Sequence, residues 1–366
     1  MTRPRVAFDV TPLQNMNRVR GIGRYVAGLA RALAAQQEIP IEFWGWHDDQ
    51  PFDVRPPHRG LWLRRFGLPR TRWGWFLGPL GMRLRRRLSP ASVVHITDPR
   101  AFIALSGTTL TTVYDLIPLI DPKWQRTGRD WAAYQKYLAR LAAAAGIFAI
   151  SNQTAEDLRR ELHIPPPPVY VAPPGVEIPP SSPDTVPGEK YFLYVGSADP
   201  HKNLPVLLEA FARSTNLPER LVLVGPWHGP NVGMLAEWLR QHEGLRGRVR
   251  YQGYVPDDQL VALIRGATAL VLPSRQEGFG LPVAEALAAG GVVIHSRIPV
   301  LTEVSQTAAL TFDPASPEEL ADGLRRLSQE AGLRADLRTK GLARARELTW
   351  RLTIDRTIAV YRSLLR

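Results

Sequence analysis

Short apolar runs rich in Val, Ile, Leu and Tyr recur along the chain, separated by longer segments whose apolar positions follow a helical period. The first half carries VAFDV (6–10), IEFWGW (41–46), SVVHIT (92–97), TLTTVYD (109–115), IFAIS (147–151) and VYVAPPG (169–175). The second carries YFLYVGS (191–197), LVLVGP (221–226), VRYQGYV (249–255), ALVLPS (269–274), GVVIHS (291–296) and ALTFDP (309–314). Runs this short and this apolar predict buried strands, and the helix-length segments between them, such as 204–214 and 317–329, predict helices covering a parallel sheet. Between the two series, PPSSPDTVPGEK (179–190) has no periodicity and is dense in Pro and Ser, which is the composition of a linker. The pattern predicts an α/β protein of two doubly wound parallel-sheet domains, residues 1–178 and 191–349. A ligand is expected in the cleft between them, outside the carboxyl ends of the strands.

A length of 366 residues agrees with two domains. No stretch approaches the roughly 20 uninterrupted apolar residues of a membrane span, and MTRPRVAFDV lacks the apolar block of a signal peptide, so the expected location is cytoplasmic. The chain has no cysteine, which excludes disulfides, thiolate metal ligands and a cysteine nucleophile. Charge changes the picture more. Lys and Arg total 46 against 34 Asp and Glu, and the net charge of +12 calls for a polyanionic partner. Between Asp53 and Asp98 there is no acidic residue, while ten arginines from Arg55 to Arg87 alternate with Trp62, Phe66, Trp73, Trp75 and Phe76. Guanidinium groups among indoles suit an anionic membrane surface, so the protein is also expected as a peripheral protein on the inner face of the plasma membrane. A solvated basic face is the plainer alternative. No nucleic-acid-binding module accompanies the charge, and nucleic acid is not an expected partner.

The candidate chemistry gathers at EGFGLPVAE (277–285). Pro282 suits the first turn of a helix, which makes GFGL the turn that leads into it. Such a turn offers free backbone N–H groups to an anion, and Gly278 and Gly280 let a phosphate approach the chain closely. The main-chain amides of Gly278, Phe279, Gly280 and Leu281 would hold phosphates. Glu277 at the strand end can accept hydrogen bonds from sugar hydroxyls, and Glu285 can reach a ribose diol. His201 and His295 lack the company of other metal ligands, and no carboxylate cage for a divalent ion is evident, so neither metal nor cofactor is expected.

These residues resemble glycosyltransferase family 4, whose signature is a pair of glutamates eight residues apart around GFGLP. YVGSADPHKNL (194–204) is similar to the family's phosphate-binding loop, and GIGRY (21–25) to its glycine turn facing the donor phosphates. TTVYDLIPL and FAISNQTAEDL resemble the acceptor-side strand and its neighbour, and TWRLTIDRTIAVYRSLLR (349–366) the final helix that returns to the first domain. The resemblance implies a GT-B fold: a Rossmann-like acceptor domain with helix 350–366, and a Rossmann-like donor domain. It implies a retaining hexosyltransferase using a nucleoside-diphosphate sugar, with the leaving phosphate taking the acceptor proton. Glu277, Lys202 and Asp115 would act in catalysis. Gly21, Gly23, Arg24, Ser197, His201 and Glu285 would join the amides above in holding the donor, and His95, Asp98 and Tyr114 would join Asp115 on the acceptor side. Ser197 stands where many relatives have an arginine, and Tyr114 where many have a histidine.

GIGRY with DLIPL looks most like bacterial mannosyltransferases, so a GDP- or UDP-sugar is the expected donor, mannose the favoured sugar, and a polysaccharide or lipid-linked glycan the expected acceptor. Two alternatives stay open: a sugar-nucleotide epimerase or hydrolase of the same fold, and a non-enzymatic basic protein that binds lipid or RNA.

Overall fold

The computed structural model describes residues 5–14, 16–45, 63–65, 92–98, 108–121, 129–162, 167–177, 189–227, 230–245 and 247–366. The chain divides into two units, Met1–Gly175 with Trp350–Arg366, and Val176–Thr349.

In the first unit the strands are β1 (Val6–Asp9), β2 (Ile41–Gly45), β3 (Leu63–Arg65), β4 (Val93–Ile96), β5 (Thr108–Val113), β6 (Gly146–Ala149) and β7 (Val169–Val171). They form one parallel sheet in the order β3-β2-β1-β4-β5-β6-β7. Its helices are α1 (Gly21–Ala35), α2 (Ile117–Ile120), α3 (Arg129–Ala142), α4 (Asn152–Glu161) and, from the end of the chain, α12 (Trp350–Leu365). α4 starts where Ser151 accepts the Thr154 amide at 2.9 Å, the side-chain cap that a helix N-terminus needs. α12 packs on α1 because Gly28 leaves room for the Trp350 indole, which any Cβ there would strike. Further along α12, Thr353 donates to the Pro173 carbonyl and Tyr361 reaches His95.

His95 is a core residue and does not face a ligand. It is fully buried on β4, stacked on Phe148 and edge-on to Phe8, with Nδ1 bonded to the Tyr361 hydroxyl at 2.6 Å and Nε2 to Thr112 at 2.8 Å. Burial pushes its pKa down to about 3, so the ring is neutral and serves as a polar pin between β4, β5 and α12. His95 was expected on the acceptor side; both of its ring nitrogens are instead already bonded within the core of the first unit.

In the second unit the strands are β8 (Tyr191–Val195), β9 (Arg220–Val224), β10 (Val249–Gly253), β11 (Ala269–Leu272), β12 (Val293–Ser296) and β13 (Leu310–Phe312). They pair in parallel in the order β10-β9-β8-β11-β12-β13. The helices are α5 (Leu204–Arg213), α6 (Pro230–Gln241), α7 (Asp257–Gly266), α8 (Leu281–Ala288), α9 (Pro299–Ser305), α10 (Pro317–Gln329) and α11 (Ala331–Ala345). Phe192, Tyr194, Phe211, Leu223, Val271, Ile294 and Leu324 meet in the core between sheet and helices. Of the proposed linker, residues 179–188 lie outside the described residues, as does the arginine-rich segment 55–87 apart from β3.

Candidate functional site

In the second unit the chain leaves β8 for one half of the sheet and enters the other half at β11, so the two central strands diverge at a topological switch point, where open α/β sheets bind ligands. The loops that follow these strands carry the residues singled out in the sequence. After β8, Ser197 bonds Asp199 at 2.6 Å and a 3-10 turn, Pro200–Lys202, brings Lys202 inward. Asn203 follows with φ of +55°, in the left-handed region that asparagine tolerates better than most residues, and its amide donates to the carbonyls of Pro273 and Pro314 at 3.0 and 2.8 Å. The Arg275 amide donates to the His201 carbonyl at 2.8 Å. Side chain and main chain together lock the loop after β8 onto the loop after β11.

At that junction the Lys202 ammonium meets both oxygens of Glu277, at 2.7 and 2.9 Å, and the Ser274 hydroxyl donates to Glu277 Oε1 at 2.6 Å. The two side chains are only 15% and 8% exposed. Burial alone would push the Glu277 carboxyl up, but the Lys202 charge, the bonds from Lys202 and Ser274, and the charge of His201 outweigh it and hold the group below the usual carboxylate range. A cation and an anion are thus fixed side by side with little exposure to water, the first suited to phosphate and the second to hydroxyl groups.

Beyond Glu277, Gly280 takes φ of +93° and starts α8 with no side-chain cap; Pro282 occupies the first turn. Gly280 is required twice over, by its φ and because a Cβ would collide with Leu301. The positive end of the α8 dipole lies at the turn that follows Glu277. Phe279 is buried beneath the turn, while Glu285 is partly buried in α8. On the other side of β8, Trp227 stacks on Tyr251 with centroids 4.6 Å apart and donates its indole N–H to the Gly196 carbonyl at 2.7 Å, supporting the loop from below.

In the first unit the glycine turn opens α1. Gly23 is buried, and a Cβ there would collide with the Asn17 and Arg18 carbonyls; Gly21 is exposed at the first helical position and Arg24 is partly buried. After β5, Tyr114 is 6% exposed with its ring edge-on to Tyr25, and its buried hydroxyl has no hydrogen-bond partner among the described residues. Burial is the main cause that pushes that phenol upward. Asp115 is partly buried and accepts the Ile117 amide at 3.1 Å, one residue ahead of the N-cap of α2. Asp98, 4% exposed, follows β4 and donates its amide to Asp9 at 2.9 Å. Among the described residues no group of three or more His, Cys, Asp or Glu is placed to hold a metal ion, and no helix is long and apolar enough to cross a membrane.

Sequence reasoning missed Asp9, Ser274 and Asn203. A lone acidic residue closing the apolar run VAFDV, and a serine between a strand end and a glutamate, are the available signals, and both are weak.

Comparison with known proteins bears on these motifs directly. Residues 180–344 match the family model described as Glycosyl transferases group 1, and residues 19–178 match that described as Glycosyltransferase Family 4. The chain belongs to glycosyltransferase family 4. This family 4 chain is 35% identical over 178 residues to the O-antigen chain mannosyltransferase B of Escherichia coli, covering 48% of this chain and 46% of that protein. It is 29% identical over 242 residues to the MMP α-(1→4)-mannosyltransferase of Mycolicibacterium hassiacum, covering 64% and 58%. The chain thus spans about half the length of the curated relatives it matches. Among solved structures, the sucrose-phosphate synthase of Thermosynechococcus elongatus superposes with a TM-score of 0.76 at 20% identity, covering 99% of both chains, a likeness of fold. The fold of this family 4 member is GT-B, built on two Rossmann-like units.

Proposed function

We propose that the protein transfers a hexose, mannose by preference, from a nucleoside-diphosphate sugar to a hydroxyl of a polysaccharide or lipid-linked glycan, with retention of anomeric configuration. The observation that carries this reading is the Lys202–Glu277 pair at the switch point of the second unit, next to the start of α8. Lys202 and the amides of the Gly278–Leu281 turn bind the diphosphate and meet the charge that grows on it as the glycosidic bond breaks. Glu277 accepts hydrogen bonds from the sugar hydroxyls. Glu285, in α8, binds the ribose diol. The leaving phosphate takes the acceptor proton, which requires no protein nucleophile. Asp115, Asp98 and Tyr114 of the first unit are assigned to the acceptor.

Mannose is favoured because the relatives above are mannosyltransferases by name, which also makes GDP the favoured nucleotide over UDP. The segment Arg55–Arg87 is assigned to an anionic membrane surface at the inner face of the membrane, on charge and aromatic content alone.

A thermal-shift panel of UDP, GDP, ADP and their sugars tests the donor, because a ligand that binds only the native state raises its stability. GDP and GDP-mannose are expected to give the largest shifts, and no shift with any of them would overturn the donor assignment. Turnover is expected to persist in excess EDTA, since Lys202 and main-chain amides take the place of a metal; an absolute requirement for a divalent ion would contradict that assignment.

A further inference from the structure

We infer that Asp9 is a positioning residue for the transfer reaction, holding the turn that carries Asp98 and the turn that leads toward Gly21 at one fixed point of the first unit. The inference rests on the transferase reading above. Asp9 ends β1 beside β4, and these are the strands at which the first sheet reverses its winding. Its side chain is fully buried, and main-chain groups occupy both carboxylate oxygens. The Thr11 amide donates to Oδ1 at 2.9 Å, and the amides of Thr97 and Asp98 donate to Oδ2 at 3.1 and 2.9 Å. The Thr97 hydroxyl closes the arrangement on the Asp9 carbonyl at 2.8 Å. One carboxylate therefore supplies the acceptors for two chain segments that have just left adjacent strands. Thr11 opens the 3-10 turn Thr11–Gln14; a second turn, Met16–Val19, follows and lays the Asn17 and Arg18 carbonyls against Gly23. The other segment ends in the buried Asp98.

This arrangement requires acceptors at both oxygens. An asparagine offers one acceptor and would turn N–H donors toward N–H donors, and a proton on the carboxyl does the same at one oxygen. Burial pushes the Asp9 carboxyl up to about 6, against the hydrogen bonds from Thr11 and Asp98 that pull it down, and the Asp98 charge adds to the rise. The titratable groups facing it are Asp98 and Tyr114; His95, on β4, is turned into the core with Tyr361 and Thr112. Because the folded value lies above the ordinary one, the protonated form gains population as pH falls through about 6, and the clamp loosens there.

The test is GDP-mannose turnover with alkyl α-hexosides as acceptor probes, followed from roughly pH 5 to 8 for the wild type and Asp9→Asn, beside calorimetric GDP affinity. For the wild type, kcat/KM for the acceptor is expected to fall about tenfold per pH unit below about pH 6 while GDP affinity stays level. Asp9→Asn is expected to lose about 100-fold in kcat/KM at neutral pH, to lose the acid limb, and to keep its GDP affinity. A wild-type profile that is flat across pH 6, or a variant that retains the limb or the full rate, overturns the inference. Should Asp9→Asn not fold, the wild-type profile decides alone. A wild type that turns over no nucleoside-diphosphate sugar fells the transferase reading instead, and the inference with it.

Discussion

The Lys202–Glu277 contact places two opposite charges where little water reaches them, so removing one partner leaves the other uncompensated. Lys202→Ala is expected to lower unfolding stability by about 3 kcal/mol in denaturant titrations, more than the roughly 0–1 kcal/mol of an exposed pair, and Lys202→Ala with Glu277→Gln should recover part of that loss. The pH dependence follows from the depressed Glu277 value. A carboxyl held below its ordinary value of 4.5 contributes stability that is present above that pH and is lost as pH falls through the lower folded value. The stability advantage of the wild type over Glu277→Gln should therefore be level near neutrality and shrink below about pH 4.5. An advantage that grows on acidification would show that Lys202 does not hold this carboxylate. Legibility at this scale was uneven. Lys202 and Glu277 were readable because glycines, a lysine and glutamates stand at telling intervals in YVGSADPHKNL and EGFGLPVAE. Asp9 was not, because its role depends on amides 88 and 89 residues away in sequence, which no local pattern records.

At the scale of elements, α8 carries the site and its entry depends on one glycine. Gly280→Ala meets both an unfavourable φ and the Leu301 side chain, so a loss of about 1–3 kcal/mol is expected, measured by thermal unfolding, together with weaker nucleotide binding. An unchanged melting temperature and affinity would mean that the turn adjusts freely. α11 stabilises this neighbourhood by another device: Arg334, Arg338 and Arg344 donate to carbonyls at or just beyond the ends of α10, α8 and α9, where cations and donors are favourable. Strands were the most legible elements. The apolar runs from VAFDV to ALTFDP each became a parallel strand, because strands buried on both faces need continuous apolar sequence. β3, of sequence LRR, gave no such signal: an edge strand needs only the main-chain pairing that β2 offers on one side. His95 shows what the pattern leaves out: the run SVVHIT places it inside a strand, but whether a strand histidine faces a ligand or the core depends on partners such as Tyr361 and Thr112, far away in sequence.

For the whole molecule, two units each have a sheet of their own, and the chain returns to the first through α12. Tyr361→Phe removes the hydroxyl that partners His95 Nδ1 and leaves a buried ring nitrogen unsatisfied, so about 1–3 kcal/mol of stability should be lost in denaturant unfolding. Affinity for nucleoside diphosphate should not change, because the site proposed for it is built from the loops after β8 and β11 in the second unit; a weakened affinity would contradict that assignment. The claim on which the account turns is that the second unit holds a nucleoside diphosphate with Lys202 as the main cation. Calorimetric titration of GDP into the wild type and Lys202→Ala tests it most directly. Saturable binding to the wild type is expected, weakening about tenfold or more in the variant, the loss of a charge-assisted contact of roughly 1.5–3 kcal/mol. Equal affinity in the two proteins, or no binding of any nucleoside diphosphate to the wild type, would contradict it.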